Sequence, residues 1–335
     1  MTSLNYKNYM INRKLNFEEA FYRRVLLSKF KKPRKDSKNK TLLELYNNTE
    51  IFKRRCGKER KNLSILRMLS FFISKKEIPF IDLKELILSN PQELKKLIDR
   101  YGKVDKKSTI YKILRDIFAY ESKFQSDVIT PFFTDNFDFK TCFYCNKDFI
   151  TNFEKQKGVY TSTFQLDHFY DKGTYPYLAL SFYNLIPSCA TCNSKKVKGS
   201  ESMINTIAPN SEEFKFHEKV KFKLYLDKNC KDLHVKDKDD IDIKLKEQFS
   251  KEYEKYIKVF KLNERYKAHK DIVYDMIEKA ELYPDSRLKE LQDLTGIPYQ
   301  QIKKDIFNLI DEDEDLSKKP FSKLIKDISE ELDLI

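Results

Sequence analysis

Two Cys-x-x-Cys pairs constrain the fold of this 335-residue chain more than any other feature of its sequence. Cys142-Phe-Tyr-Cys145 and Cys189-Ala-Thr-Cys192 offer four thiolates, and a gap of two residues lets both sulfurs of a pair reach one tetrahedral ion. Four sulfur ligands leave no open coordination position, so this zinc clamp predicts a structural Zn²⁺ rather than a catalytic one. The 43 residues between the pairs, 146–188, exceed the usual zinc-ribbon gap, and a whole structural unit must lie inside the clamp.

The cysteines are interpreted as metal ligands because the expected compartment is reducing. The first ten residues, MTSLNYKNYM, lack the apolar core of a signal peptide, and the apolar runs of the chain are too short to span a bilayer. We therefore expect a cytoplasmic protein without membrane contact, in which a disulfide framework would not persist. Cys56 and Cys230 stand outside the pairs and are expected to be ordinary core or surface thiols.

The rest of the sequence is dominated by helical spacing. Phe17, Phe21 and Val25 would share one face of a helix, and Asn90-Pro91 is a typical helix start with Gly102 as its end. A further helix near 108–124 should precede a loop containing Thr130 and Pro131. In the C-terminal half, residues 220–226 alternate as a half-buried strand would, and helical spacing then returns, with Gly296 as one helix stop.

The segment inside the zinc clamp carries a second motif. Gln165-Leu166-Asp167-His168 is followed by Asn184, and Asn193 comes directly after the last cysteine. This order over residues 142–199 resembles the HNH, or ββα-metal, endonuclease family, whose core is two strands and a helix around one divalent ion. Residues 167–196 also resemble HNH proteins of bacterial anti-phage defence systems, including Septu-type and retron-linked nucleases that act beside an ATPase.

The resemblance implies a role for each residue of the motif. His168 would take a proton from the attacking water, since imidazole titrates near neutral pH, and it is the only histidine before residue 217. Asp167 and Asn193 would bind the catalytic ion, and their oxygen ligands favour Mg²⁺ or Mn²⁺, although many family members have histidine at the position of Asn193. Asn184 would shape the loop and orient His168 without touching the metal. Lys195 and Lys196 would hold substrate phosphates, or be solvated surface lysines.

Positive charge is concentrated at the N-terminus. Residues 1–61 contain 18 Lys or Arg and 6 Asp or Glu, which gives +12 of the chain's total of +13. Such a cluster is typical of a phosphate-contacting surface, and equally of a solvated face or an arm that docks on an acidic protein. The candidate nucleic-acid-binding residues here form two clusters: Lys31, Lys32, Arg34 and Lys35, then Lys53, Arg54 and Arg55.

These observations predict a mainly α protein with a small central ββα-metal core stabilised by zinc. The expected parts are a basic helical N-terminal region (1–130), the HNH core (131–210) and a C-terminal helical region (211–335). The expected function is metal-dependent endonucleolytic cleavage of nucleic acid, with DNA favoured over RNA. The resemblance to HNH proteins of defence systems implies an effector of anti-phage defence with an ATPase or another defence-system subunit as a partner.

Two other functions could use some of the same residues. A nonenzymatic zinc-knuckle adaptor would bind nucleic acid or a protein and show no metal-dependent cleavage. Zinc-dependent deamination fits poorly, because Phe169 and Tyr170 follow His168 where a catalytic glutamate would be needed. The segment Pro320–Leu324 resembles a family tail, but no chemistry is assigned to it from the sequence.

Overall fold

The computed structural model of the chain describes residues 1–28, 41–42, 83–228, 230, 235–311 and 314–335. Most regular structure in this part is helical. The α-helices are α1 (Phe17–Leu27), α2 (Leu83–Leu88), α3 (Pro91–Tyr101), α4 (Thr109–Ile117), α5 (Thr130–Asn136), α6 (Phe216–Lys219), α7 (Glu254–Val259), α8 (Leu262–Tyr266), α9 (Lys270–Leu282), α10 (Asp285–Thr295), α11 (Tyr299–Phe307) and α12 (Ser322–Glu331). A π-helix, Tyr120–Ile129, connects α4 to α5.

The strands of the described residues form three separate two-stranded antiparallel sheets. They are β1 (Asn152–Gln156) with β2 (Val159–Ser162), β3 (Gln165–His168) with β4 (Leu185–Ser188), and β5 (Val220–Leu226) with β6 (Ile241–Glu247). The chain is thus mainly helical with small sheets and a four-cysteine cluster, as expected. β5 confirms the strand predicted from alternating residues.

Local sequence signals place several helix ends correctly. The Asn90 side chain accepts hydrogen bonds from the backbone N–H groups of Gln92 and Glu93, and Gly102 ends α3 with a positive φ of 67°. Gly296 ends α10 in the left-handed helical conformation, also with a positive φ, of 70°. The loop predicted around Thr130 and Pro131 is wrong, because these residues begin α5 directly after the π-helix. Proline is tolerated there, since the first helical turn needs no donor from it.

The helix of the expected ββα core is absent from the described structure. Residues 189–200, which follow β4, form successive turns instead. The backbone hydrogen bonds in this segment span different numbers of residues. The N–H groups of Val197 and Gly199 both donate to the Ser194 carbonyl, and the N–H group of Lys198 donates to the Cys192 carbonyl. An α-helix requires the same four-residue step at each position, so these bonds build a compact knuckle rather than a helix.

The N-terminal residues cover the β3–β4 hairpin rather than extending away from it. The Tyr6 hydroxyl donates to the Leu185 carbonyl at 2.5 Å, and the backbone N–H of Leu4 donates to the Pro209 carbonyl at 2.7 Å. Tyr6 belongs to a buried aromatic cluster with Phe17, Phe21, Phe133, Phe137, Phe139 and Phe182. The first residues therefore hold the central hairpin in place through burial of large apolar rings.

Both basic clusters of the N-terminal region lie outside the described residues, as does Cys56. These clusters are Lys31, Lys32, Arg34 and Lys35 with Lys53, Arg54 and Arg55. Among the helices that the structure does describe, none combines the length and the apolar character that crossing a bilayer requires.

Candidate metal centre and adjoining polar site

The four cysteines of the zinc clamp meet in one buried cluster. The sulfur atoms of Cys142, Cys145, Cys189 and Cys192 all lie within 4.8 Å of one another, and those of Cys145 and Cys189 are 4.0 Å apart. A tetrahedral Zn²⁺ with Zn–S bonds of about 2.3 Å places its sulfurs about 3.8 Å apart. The cluster can therefore hold a metal ion such as zinc with little movement.

The first Cys-x-x-Cys pair lies in a tight turn that closes on itself. Thr141 and Phe149 form an isolated antiparallel bridge, and the backbone N–H of Asn146 donates to the Cys142 carbonyl at 2.7 Å. Asn146 has a φ of 51°, a left-handed conformation that asparagine accepts more easily than most residues. This turn points both sulfurs to the same side, as one ion requires.

The start of α12 fixes this turn from the other end of the chain. The buried Asn146 amide donates to the Leu316 carbonyl at 2.8 Å, and its oxygen accepts from the Lys323 backbone at 3.0 Å and the Ser322 hydroxyl at 3.1 Å. The Phe321 backbone N–H donates to the Asn146 carbonyl at 2.7 Å. The segment Pro320–Leu324, to which the sequence assigned no chemistry, thus anchors the first half of the zinc clamp.

Arg265, on α8, lies beside the cysteine cluster. Its guanidinium donates to the Cys192 sulfur at 3.1 Å and to the Asp148 carboxylate at 3.4 Å. Four thiolates around a bound Zn²⁺ would carry a net charge of about −2, and Arg265 would offset part of it. Hydrogen bonds of this kind orient metal ligands and tune their basicity. Nothing in the spacing of the cysteines indicates Arg265, since it follows Cys192 by 73 residues.

His168 lies buried at the end of β3, opposite Leu185 of β4. Its Nε2 is 2.9 Å from the Ala179 carbonyl oxygen. A carbonyl can only accept, so Nε2 carries the proton and Nδ1 keeps a free lone pair in the neutral ring. Burial, and next the charge of Lys172, lower the pKa of His168 to about 3. The imidazole is therefore neutral, with Nδ1 as its basic atom, and it is a weaker base than the near-neutral titration expected from the sequence.

Asn184 closes the loop between β3 and β4. Its fully buried side chain accepts from the Tyr170 backbone N–H at 2.8 Å and donates to the carbonyls of Tyr170 and Leu178, at 3.1 and 3.2 Å. The Asn184 carbonyl also accepts from the Phe169 N–H at 2.9 Å. Leu178 directly precedes Ala179, so the Asn184 side chain also fixes the Ala179 carbonyl, which accepts the hydrogen bond from His168.

Asp167 is buried in an ion pair. Its carboxylate accepts from the Lys198 ammonium at 3.0 Å (Oδ1) and 2.9 Å (Oδ2), and from the Tyr144 hydroxyl at 2.6 Å (Oδ2). Burial raises the pKa of Asp167, and the Lys198 charge and the Tyr144 hydrogen bond oppose that rise. The Lys198 ammonium also donates to the His168 carbonyl at 2.7 Å. Both carboxylate oxygens are thus already engaged.

The motif residues are divided between the two faces of β3. Neighbouring residues of a strand point to opposite faces. Asp167 and Gln165 face the turns at 189–200, where the Asn193 amide donates to the Gln165 side chain at 2.9 Å. His168 faces Ala179 and the ring of Tyr120, whose centroid is 4.4 Å from that of the imidazole. Lys195 and Lys196 lie exposed on the turns.

Asp167 does not fit its predicted role as a ligand of Mg²⁺ or Mn²⁺ in this arrangement. Its charge is neutralised by Lys198, whereas the bond between Asn193 and Gln165 uses the Asn193 amide nitrogen and not its oxygen. A divalent ion at Asp167 would lie beside a buried ammonium, and like charges in a buried site repel strongly. Sequence reasoning missed Lys198 and Tyr144, because only the packing of the turns against β3 brings them to Asp167.

No protein-family model, curated protein or solved structure matches this chain.

Proposed function

We propose that this chain is an HNH-type endonuclease, in which His168 activates water for the hydrolysis of a phosphodiester bond in nucleic acid. The observation that carries the proposal is the state of His168. Its Nε2–H is bound to the Ala179 carbonyl at 2.9 Å, which leaves a neutral Nδ1 able to accept a proton. Asn184 holds the loop that supplies this carbonyl, as the resemblance to HNH nucleases implies.

The zinc clamp supports the proposal as scaffold. β4 ends directly before Cys189, so an ion on the four sulfurs would tie this end of the hairpin that carries His168 to the first cysteine pair. Such an ion would supply folding energy and fixed geometry, with no open position for substrate. The zinc identity, DNA as substrate, a role in anti-phage defence and an ATPase partner remain parts of this proposal.

The chain's own residues would act as follows. His168 would take the proton of the attacking water on Nδ1, and the bond to Ala179 would hold the ring in the correct tautomer. Lys195 and Lys196, exposed on the turns after Cys192, would attract the phosphate backbone as point charges. A bound Mg²⁺ or Mn²⁺ would supply Lewis-acid activation of the phosphate. Asp167 does not offer a free oxygen for that ion in this arrangement, whereas the bond between Asn193 and Gln165 uses the Asn193 amide nitrogen and not its oxygen.

The test is cleavage of supercoiled plasmid DNA and of RNA by the full chain, with Mg²⁺, with Mn²⁺ and without added ion. His168→Gln retains an amide that can donate to the Ala179 carbonyl but has no basic nitrogen. We expect it to lose about 10²- to 10⁴-fold in rate, the usual contribution of a general base. His217→Ala, at a histidine outside the hairpin, is the matched control and should cut like the parent chain.

Equal cleavage by His168→Gln and the parent would refute His168 as the base. If the parent binds nucleic acid and cuts neither DNA nor RNA under any of these ions, the second candidate, a nonenzymatic zinc-knuckle adaptor, is favoured instead. The observation on the side of the adaptor is the engagement of both Asp167 oxygens by Lys198 and Tyr144.

A further inference from the structure

The Lys198 ammonium is enclosed by oxygen atoms. It contacts both oxygens of Asp167, at 3.0 and 2.9 Å, and the His168 carbonyl oxygen at 2.7 Å. The lysine and aspartate side chains are only 1% and 5% exposed. A carboxylate together with a backbone carbonyl is the kind of ligand set that hard cations take in proteins. Here a side-chain cation fills it.

We propose that the Lys198 ammonium is the resident cation of this site, and that it excludes divalent cations from Asp167 in the folded protein. The inference rests on the proposed function in that it concerns the aspartate to which the HNH resemblance assigns a metal ion. It deepens that function by assigning Asp167 and Lys198 a positioning role. Through its bond to the His168 carbonyl, Lys198 fixes the backbone of the proposed base.

The turns after Cys192 hold Lys198 in this position. The backbone N–H of Lys198 donates to the Cys192 carbonyl at 3.3 Å, and that of Gly199 donates to the Ser194 carbonyl at 2.9 Å. Gly199 has a φ of 51°, in the left-handed region where glycine is favoured. The chain therefore reverses directly after Lys198 and turns its side chain inward, while Lys195 and Lys196 stay exposed.

Displacement of Lys198 by an ion would disturb three groups at once. The ammonium would have to leave a site in which all its contacts are buried, Asp167 would have to give up its counter-charge, and the His168 carbonyl would lose its donor. Buried charges are costly when they are unpaired. We therefore infer that the pair stays closed in the resting protein whether or not a divalent ion is present.

Binding of Tb³⁺ tests the exclusion without any need for cleavage. Tb³⁺ is a hard cation that seeks oxygen ligands, and tyrosine transfers excitation energy to it. The chain has no tryptophan, and the Tyr144 hydroxyl is 2.6 Å from Asp167, so an ion on that carboxylate would be sensitised efficiently. The parent and Asp167→Asn should give the same titration. For Lys198→Gln, the Tb³⁺ concentration that gives half-saturation should be at least tenfold lower than for the parent. The double variant Lys198→Gln with Asp167→Asn should bind Tb³⁺ no more tightly than the parent.

Lys195→Gln is the matched control, because it removes a lysine of the same turns that is exposed, and it should titrate like the parent. A parent signal that disappears in Asp167→Asn would overturn the proposal. So would a folded Lys198→Gln variant, with a native circular dichroism spectrum, that gains no site.

A second measurement uses the unaltered protein, in case Lys198→Gln does not fold. The chain has four histidines, so the ring signals of His168 can be followed after ¹⁵N-histidine labelling and assigned with His168→Gln. Mn²⁺ on the neighbouring Asp167 would broaden them beyond detection. We expect them to stay sharp, and Mn²⁺-induced loss of these signals contradicts the proposal. Cleavage that does not depend on His168 would instead refute the proposed function and leave these two readouts unaffected.

Discussion

His168 shows how the surroundings of one residue set its chemistry. An exposed imidazole is half protonated near pH 6.5, whereas burial and the charge of Lys172 lower the pKa of His168 to about 3. Below pH 6.5, His168 is therefore protonated in the unfolded chain and stays neutral in the folded chain. Stability from this group is complete above pH 6.5 and is lost as the pH falls toward the folded-state pKa.

We expect the free energy of unfolding of the parent to fall, through His168 alone, by about 1.4 kcal/mol per pH unit below about pH 6.5. His168→Gln should lack this contribution. The difference between the two proteins in urea unfolding should therefore shrink by about 2 kcal/mol between about pH 6.5 and about pH 5. His217→Ala is the comparison: burial also lowers the pKa of His217, which is more exposed than His168, so this variant should show a smaller change in the same direction. A difference that does not change with pH would show that His168 titrates normally in the folded chain.

Tyr120 and Tyr144 are two buried tyrosines whose hydroxyl groups differ in their hydrogen bonding. The Tyr120 hydroxyl is buried and has no hydrogen-bond partner among the described residues, whereas that of Tyr144 donates to Asp167 at 2.6 Å. Removing an unsatisfied buried hydroxyl is neutral or stabilising, while breaking a bond to a charged group costs about 1.5–3 kcal/mol. Tyr120→Phe should thus leave the free energy of unfolding unchanged or higher.

Tyr144→Phe should lower the free energy of unfolding by about 1.5–3 kcal/mol, because it breaks the hydrogen bond to the Asp167 carboxylate. Both variants keep the aromatic ring, so the loss of packing is the same in each. Thermal and urea unfolding of the two, compared with the parent, decide the question. Equal destabilisation by Tyr120→Phe would mean that its hydroxyl has a partner in the folded protein.

At the scale of elements, the zinc clamp joins parts of the chain that have little regular structure of their own. The first cysteine pair lies in a turn held by the start of α12, and the second lies in turns after β4, with Arg265 of α8 against the sulfurs. Short turns bury too little apolar surface to be stable alone. We therefore expect their geometry to depend on the metal ion.

Purified protein should contain about one zinc per chain, and Cys189→Ser should lose it together with several kcal/mol of stability, because structural zinc sites contribute directly to folding. Metal analysis and thermal unfolding measure both effects. Cys230→Ser is the matched control, since Cys230 lies outside the four-cysteine cluster. Full zinc content in Cys189→Ser, or an unchanged melting temperature on removal of zinc by a chelator, would argue against the clamp.

At the scale of the whole molecule, charge is the feature that the described fold does not explain. Residues 1–61 carry +12 of the net charge of +13, and both basic clusters fall outside the described residues. If these clusters contact phosphates, log affinity for a DNA duplex should fall linearly with log salt, by about 0.9 per phosphate neutralised.

Serine at Lys31, Lys32, Arg34 and Lys35 should flatten that salt slope by about 0.9 for each phosphate that is no longer neutralised, for any DNA sequence. Serine at Lys289 and Lys303, in α10 and α11, is the control and should leave the slope as it is. Fluorescence anisotropy across a salt series gives both values. An unchanged slope together with weaker binding of a co-purifying protein would identify the segment as a partner-docking arm.

Features that depend on neighbouring residues could be predicted from the sequence alone. The two-residue gaps predicted the four-sulfur cluster, alternation predicted β5, and Asn90, Gly102 and Gly296 marked helix ends. The strand and the helix ends follow from interactions within a few residues along the chain: a strand period of two, or a cap that satisfies a helix end. The cluster joins two pairs that are 43 residues apart, and it could be predicted because one tetrahedral ion requires four ligands.

The state of the polar site, in contrast, depends on packing between distant parts of the chain. Lys198 is 31 residues from Asp167, and Asn146 is 177 residues from its partner Lys323, so no spacing rule connects them. Likewise, residues 189–200 form turns where the resemblance implied a helix, and these turns are held by contacts with β3 and the sulfurs. Aspartate, lysine and histidine each have an intrinsic pKa and preferred ligands. In the folded protein, burial and the partner that packing brings to each side chain determine its charge and what it can bind.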